Sequence, residues 1–149
     1  MLLLLIAPTT LAQQTEQPTP YFTSVIVSDM DIAIQWYTST LGFKVSNQAT
    51  MEARGIKQAN LEMDGALLEL IETRLTLSAD SALAANSGKR FVGGFFKVGF
   101  RVKHFDNWVQ HLEKLSVDFR GDIVRDPITK QRMLIVTDPD GNRIQFFEW

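Results

Sequence analysis

Residues 138–149 read DPDGNRIQFFEW. A Pro- and Gly-containing turn comes first, then a run in which Ile144 and Phe146 alternate with Arg143, Gln145 and Phe147. A turn followed by period-two alternation is the signature of a strand entered through a tight reversal. The same pattern stands earlier in the chain. Residues 64–72 read DGALLELIE, which sets Asp64 over Asp140, Leu68 over Ile144, Glu69 over Gln145 and Glu72 over Glu148, a shift of 76. A second pair of segments, 27–43 (VSDMDIAIQWYTSTLGF) and 102–119 (VKHFDNWVQHLEKLSVDF), sets Val27 over Val102, Asp31 over Asp106 and Gln35 over Gln110, a shift of 75. Two segments that agree in order, and in offset to within one residue, indicate a duplicated module.

Within each module the hydrophobic period changes from two to about 3.6 and back. In the first, YFTSVIV reads as a strand. Ala33, Trp36, Tyr37 and Leu41 then form one helical face, with Ser28 and Asp31 as a capping pair at its start and Gly42 as its stop. FKVSNQA, IKQANLEM and ALLELIE read as three strands, the last two joined by an Asp64-Gly65 turn. In the second, FKVGFRV is a strand and Phe105, Trp108, Leu112 and Leu115 form a helical stripe. VDFRGDIV, RMLIVT and RIQFFEW follow as strands, the last entered through Asp140-Gly141. Each module is therefore βαβββ, and the predicted class is α+β, two modules forming an open cup. Module one spans 21–73 and module two 95–149. A Ser-, Ala-, Asn- and Gly-rich linker, 74–94, is long enough to act as a lid or a swap hinge.

With 149 residues, 45% of them hydrophobic and 21% charged, the chain can bury one core. A net charge of −2 and the lack of any basic run give no attraction for nucleic acid or an anionic membrane. Residues 1–12 (MLLLLIAPTTLA) form an uncharged apolar run ending in a small-x-Ala step, the pattern of a secretory signal, too short to span a bilayer. The other reading is a membrane-tethered or disordered N-terminus. Export to the periplasm or the medium is the expectation, with 13–20 (QQTEQPTP) as a polar lead-in. There is no cysteine, so thiol catalysis, thiolate metal sites and a lipidated cysteine anchor are all excluded for this sequence.

Alternation assigns the sheet faces. Val25, Val27, Leu68, Leu70, Val98, Phe100, Val102, Ile144 and Phe146 belong against the helices. The opposite face is mixed: Phe22, Glu69, Lys97, Arg101, Arg143 and Gln145 among apolar neighbours. Burying such polar groups unpaired costs about 1–3 kcal/mol each, so a half-enclosed face carrying them has either a ligand or open solvent beside it.

The two repeated segments resemble a known family. The first is similar to the V-x-D-x-x-x-a-x-x-F-Y-x-x-x-L-G-F helix region of the vicinal oxygen chelate superfamily, and DPDGNRIQFFE to its closing D-P-D-G-N-x-I-E signature. That superfamily includes glyoxalase I, extradiol dioxygenases, fosfomycin resistance enzymes and bleomycin-binding proteins. The resemblance runs from Tyr21 to Trp149. It implies a cup in which metal-dependent members hold a divalent ion with His or Glu from matching strand positions of both modules. Here those positions carry Phe22, Glu69, Lys97 and Gln145, and only Glu69 matches.

A divalent ion needs three or more nitrogen or oxygen donors at about 2 Å. Phe offers none, Lys is cationic, and Gln is a weak neutral donor. The expectation is a cup without metal or other cofactor. His104 and His111 fall at a helix start and within that helix, away from the sheet face. Glu69 and Lys97 either pair with each other or, with Arg101 and Arg143, leave the cup positive for a small anionic or aromatic ligand. Phe22, Phe147 and Trp149 would supply apolar contact. Besides an interaction module whose cup is closed by a second copy of the chain, two functions follow. One is a bleomycin-resistance-like binding protein, paired as a homodimer. The other is a glyoxalase- or dioxygenase-like enzyme in which Glu69 is the best catalytic candidate, acting as base beside Lys97.

Overall fold

The computed structural model describes residues 21–88 and 96–149. The expected signal 1–12, the lead-in 13–20 and the end of the linker, 89–95, lie outside the described residues. Module one consists of β1 (Thr23–Val27), α1 (Met30–Leu41), β2 (Lys44–Met51), a turn of 3-10 helix (Glu52–Arg54), β3 (Ile56–Met63) and β4 (Ala66–Thr73). Within the linker, α2 (Ala79–Ala84) forms a short helix capped by Ser78. Module two consists of β5 (Val98–Val102), α3 (Phe105–Lys114), β6 (Val124–Arg125), β7 (Arg132–Thr137) and β8 (Arg143–Glu148). Each module makes a four-stranded sheet, ordered β1-β4-β3-β2 and β5-β8-β7-β6. In both, the first strand lies parallel to the last while the others are antiparallel. The α+β class and the paired βαβββ modules are therefore as the sequence indicates.

The duplication extends to side chains. Lys57 pairs with Glu72 at 2.9 Å in module one, and Arg132 pairs with Glu148 at 2.9 Å in module two. Even the one-residue change in offset has a cause. The β3–β4 reversal uses two residues, Asp64 (φ 46°) and Gly65 (φ 82°), between paired Met63 and Ala66. Both sit in the left-handed region that a two-residue hairpin requires. The β7–β8 reversal is wider, with Thr137 paired to Arg143 where module one pairs Glu62 with Leu67. It thus holds one more residue, and that extra residue turns the shift from 75 into 76.

Three local expectations are corrected. Helix α1 is capped by Asp29, whose Oδ1 accepts from Ile32 N–H at 2.9 Å, and not by a Ser28–Asp31 pair. Glu72 Oε2 takes the Met30 N–H at 2.7 Å, while the Ser28 N–H is drawn across to Asp140 Oδ1 at 2.8 Å. Leu115 lies past the end of α3 and is 43% exposed, so it does not extend the buried stripe of Phe105 and Leu112. The strand expected over 117–124 is broken. Phe119 bridges Val136 and Val124 pairs Met133, five steps on one side against three on the other. Gly121, at φ 99°, lets the surplus residues loop out.

The core is one cluster shared by both modules. It contains the residues that alternation assigned to the helix side, including Val27, Leu68, Leu70, Val102, Ile144 and Phe146. Ring contacts run through it from Tyr37 to Phe43 (6.1 Å), Phe100 (6.0 Å), Phe146 (6.1 Å) and Trp108 (5.7 Å). Because Phe43 belongs to module one and Phe100 to module two, hydrophobic burial holds the halves together as well as each half internally.

Candidate functional site

A cleft of about 690 Å³ opens between the inner edges of the two sheets. Its walls are β1 with the residue before it, the start of β5, and the start of β8. Phe22, Lys97 and Arg143 line it, so three of the six residues singled out on the cup face share this space. Thr23, Ser24 and Asn142 add neutral polar groups. Among the lining residues no side chain carries a carboxylate.

Backbone register explains why the two cations meet. Strands β5 and β8 are parallel with Val98 opposite Ile144, so Lys97 and Arg143 each stand one residue earlier on neighbouring strands. Both also lie over the Phe96 ring, Arg143 at 4.3 Å and Lys97 at 5.8 Å. Burial, reinforced by the nearby Arg120 charge, holds the Arg143 guanidinium below its ordinary pKa. Arg120 comes from the segment before the Gly121 loop, where its N–H donates to Ile135 O at 2.8 Å. Sequence reasoning missed both Arg120 and Phe96. The first is placed by an irregular loop with no periodic signal, and the second lies just outside its strand.

The other singled-out residues are elsewhere. Glu69 belongs to a polar cluster on module one: Ser24 Oγ donates to its Oε1 at 2.8 Å and Gln58 Nε2 to its Oε2 at 2.6 Å. It does not pair with Lys97. Among the described residues the ion pairs are Lys57–Glu72, Arg132–Asp106 and Arg132–Glu148. Gln145 is only 2% exposed, and its Nε2 donates to Met133 Sδ. Arg101 and Lys103 lie over Trp149, at 5.9 and 5.6 Å, and Trp149 is 70% exposed. Neither Arg101, Phe147 nor Trp149 is among the residues lining the cleft. Phe96 provides the aromatic wall instead.

The donor set does not fit the divalent ion held by metal-dependent members. Phe22 has no donor atom, Lys97 is a cation, and Gln145 is buried against a thioether. Both oxygens of Glu69 already accept from neighbours. Among the described residues no group of three or more His, Asp or Glu is placed to hold an ion. His104 and His111 border a separate hollow of about 440 Å³ beside the end of α1. There His111 Nε2 donates to the Thr40 carbonyl at 2.9 Å, a favourable contact at a helix C-terminus. Among the described residues no helix is long and apolar enough to cross a membrane.

The reversal before β8 fixes the cleft floor. Asp138 Oδ1 accepts from the N–H groups of Asp140 (3.0 Å) and Asn142 (2.8 Å), and its Oδ2 from Asn142 Nδ2 (2.9 Å) and the buried phenol of Tyr37 (2.9 Å). Asn142 Nδ2 also reaches the Ile26 carbonyl on β1 at 3.3 Å. The D-P-D-G-N motif thus ties module two to α1 and β1 of module one, which sets the distance between the cleft walls.

Comparison with known proteins agrees with this architecture. A sequence model of the Glyoxalase/Bleomycin resistance protein/Dioxygenase superfamily matches residues 20–146. The uncharacterized protein YaeR of Escherichia coli K12 is 27% identical over 127 residues, covering 84% of this chain and 92% of its own. Among solved structures, SMU.1112c superposes with a TM-score of 0.76 at 23% identity, covering 89% of this chain and all of its own. A glyoxalase family protein from Enterococcus faecalis superposes with a TM-score of 0.75 at 18% identity, covering 87% and 97%.

Proposed function

The chain belongs to the Glyoxalase/Bleomycin resistance protein/Dioxygenase superfamily, and from that premise we propose that it binds a small anionic or aromatic molecule in the cleft between its modules, with no divalent metal at the family's position. One observation carries the reading. Of the four positions implied as ligands, one has no donor, one is a cation, one is a buried amide and one is a carboxylate already bonded to Ser24 and Gln58. What remains is a largely apolar space of about 690 Å³, within the usual range of roughly 300–1,000 Å³ for small-molecule sites. A bleomycin-resistance-like role, sequestering or carrying a compound, uses such a cleft without chemistry.

The test is a thermal-shift screen of small aromatic acids, amines and neutral compounds, run with and without EDTA. Stabilisation that persists in EDTA and is lost in Phe96→Ala supports the reading. Stabilisation that appears only when a divalent ion is supplied sinks it.

An enzymatic reading has its own support. Glu69 stands on the face opposite the helices, oriented by hydrogen bonds from Ser24 and Gln58, and a positioned carboxylate is a candidate general base. Turnover of a candidate substrate that survives EDTA and disappears in Glu69→Gln would favour it over simple binding.

Two further proposals concern context. Strand β2 is an outer strand whose residues are exposed from Lys44 to Thr50, an edge of the kind that pairs with another chain. We take a second copy as its partner, to be checked by light scattering across concentration. Export rests on the apolar run 1–12, and N-terminal sequencing of protein recovered outside the cytoplasm checks it.

A further inference from the structure

We infer that the cup face of module one carries a hydrogen-bonding subsite for a carboxamide or lactam group, made by Gln58, Asn60 and Glu69, with the aromatic body of the same ligand lying toward Phe22 and Ile26. This deepens the binding reading above and rests on it.

The backbone register brings these side chains together. Glu69 on β4 stands opposite Ser24 on β1 and Asn60 on β3, and Asn60 stands opposite Asn47 on β2. Residues directly opposite in a sheet share a face, so one transverse row is polar across all four strands. Their chain neighbours Ala59, Leu61, Leu68 and Leu70 fill the core, which puts Gln58, Asn60 and Glu69 on the cup side. Ser24 is also a wall residue of the cleft, so the row starts at the cleft edge and runs across module one.

The row is ordered by its own bonds. Gln58 Nε2 donates to Glu69 Oε2 at 2.6 Å and to Asn60 Oδ1 at 3.2 Å, and Ser24 Oγ donates to Glu69 Oε1 at 2.8 Å. Both N–H groups of Gln58 are thereby used, and each amide has its orientation fixed. Among the described residues nothing donates to Gln58 Oε1 and nothing accepts from Asn60 Nδ2. Both residues are half-buried, yet among the described residues no buried side-chain nitrogen or oxygen lacks a partner, so these two atoms open to the cup. One fixed acceptor and one fixed donor therefore stand side by side, next to a carboxylate that pairs with no cation among the described residues. Side chains already held by one another lose little rotamer freedom when a ligand arrives, which favours binding.

That pattern selects the chemistry. An amide N–H donates to Gln58 Oε1 or to a remaining lone pair of Glu69, and the amide C=O accepts from Asn60 Nδ2. An ester has no donor and leaves Gln58 Oε1 unpaired beneath the ligand. A carboxylate is repelled by Glu69, and an ammonium leaves Asn60 Nδ2 without an acceptor. Ile26 and Ile71, paired with each other, flank the row, and Phe22 stands two residues before Ser24 on the same face. From β1 to β3 is about 9–10 Å at the ordinary strand spacing, the reach of a two-ring arene with one substituent.

The experiment is calorimetric titration of the full chain in EDTA with 1-naphthamide, N,N-dimethyl-1-naphthamide, methyl 1-naphthoate, 1-naphthoate and 1-naphthylmethylamine. The expected result is that 1-naphthamide binds at least about tenfold tighter than the dimethylamide and the ester, which keep the acceptor and lose the donor. Asn60→Asp exchanges the outward donor for an acceptor at nearly constant shape. It is expected to remove most of the amide preference and to make the amine the tightest of the five. Gln58→Met removes the acceptor and the bond that orients Asn60, and lowers the preference about as much. A role in the sheet alone would weaken all five compounds together. Near-UV circular dichroism of each variant checks that the fold is kept.

Equal binding of 1-naphthamide, its dimethyl derivative and the ester would overturn the subsite and leave small-molecule binding in the cleft standing. Naphthoate binding tighter than the amide would overturn it too, as would an amide preference that survives Asn60→Asp and Gln58→Met together. Failure of all five to bind would overturn it as well, and the thermal-shift screen then decides the wider reading alone. Binding that is absent in EDTA and appears with a divalent ion would bring down the metal-free reading beneath it.

Discussion

The phenol of Tyr37 donates to Asp138 Oδ2 at 2.9 Å, joining the helix of one module to the last reversal of the other across 101 positions of sequence. Both residues are buried, Tyr37 fully. Tyr37→Phe leaves a buried carboxylate short of one donor, so it is expected to cost about 1–3 kcal/mol, read as a lower urea midpoint with unchanged slope.

The same pair sets an alkaline limit. Burial, and then the Asp138 charge, push the Tyr37 hydroxyl well above its ordinary value of 10.0. The unfolded chain ionises this phenol above about pH 10 and the folded chain does not, so stability that is intact below that pH is lost as pH rises. The wild type is expected to lose about 1.4 kcal/mol per pH unit more than Tyr37→Phe in that range, measured by urea unfolding at a series of alkaline pH values.

On the acid side the ion pairs contribute in the opposite sense. Their side-chain partners Lys57 and Arg132 hold Glu72, Asp106 and Glu148 below their ordinary values. The stability they give is present above the unfolded carboxylate range and is lost as pH falls through the lowered folded values. Asp138 opposes them, because burial raises it. Replacing Lys57 and Arg132 together by Gln is expected to flatten the loss of stability between about pH 5 and 3, and an unchanged acid profile would show these pairs to be idle.

Gly42 ends α1 at φ 82°, with its N–H bonded back to Thr38 O at 3.2 Å. The space around it is open, so Gly42→Ala meets only backbone strain. The expected cost is about 1–2 kcal/mol, read from thermal or urea unfolding.

Much of the fold was legible in the sequence because duplication and alternation report directly on backbone geometry. The faces of β4, β5 and β8 follow from period two alone, and the Gly42 stop from the conformation it must adopt. The broken strand at 117–124 was not legible. Its residues look β-rich, and only the partner register shows the two that loop out at Gly121. The site divides in the same way. Phe22, Lys97 and Arg143 were accessible through alternation, since a strand start fixes which side a residue faces. Arg101 satisfied that rule too, yet it lies beside Trp149, because alternation gives the face and not the position along the strand. Arg120 carried no periodic signal at all, and the links from Asp138 to Tyr37 and Asn142 required the tertiary fold.

If the four family positions converge, donors can be restored. Phe22→His, Lys97→His and Gln145→Glu, beside native Glu69, supply four N or O ligands. The triple variant is expected to be less stable than the wild type without metal, because Gln145 is 2% exposed and a glutamate there is buried without a partner. Adding nickel or zinc at about a hundredfold excess over its dissociation constant should return roughly 2.7 kcal/mol, seen as a thermal shift absent from the wild type. A variant that metal leaves unshifted would show that the four side chains do not reach one point.

The most direct measurement is metal content of the wild-type chain after EDTA stripping, incubation with nickel, zinc, manganese and ferrous iron in turn, and equilibrium dialysis. A protein with Phe22 and Lys97 lining its cleft and Gln145 buried against Met133 is expected to retain far less than one equivalent of any of them. Retention of close to one equivalent, lost when Glu69 is replaced by Gln, would contradict the account: it would place a metal in the cup and make the cationic cleft secondary to it.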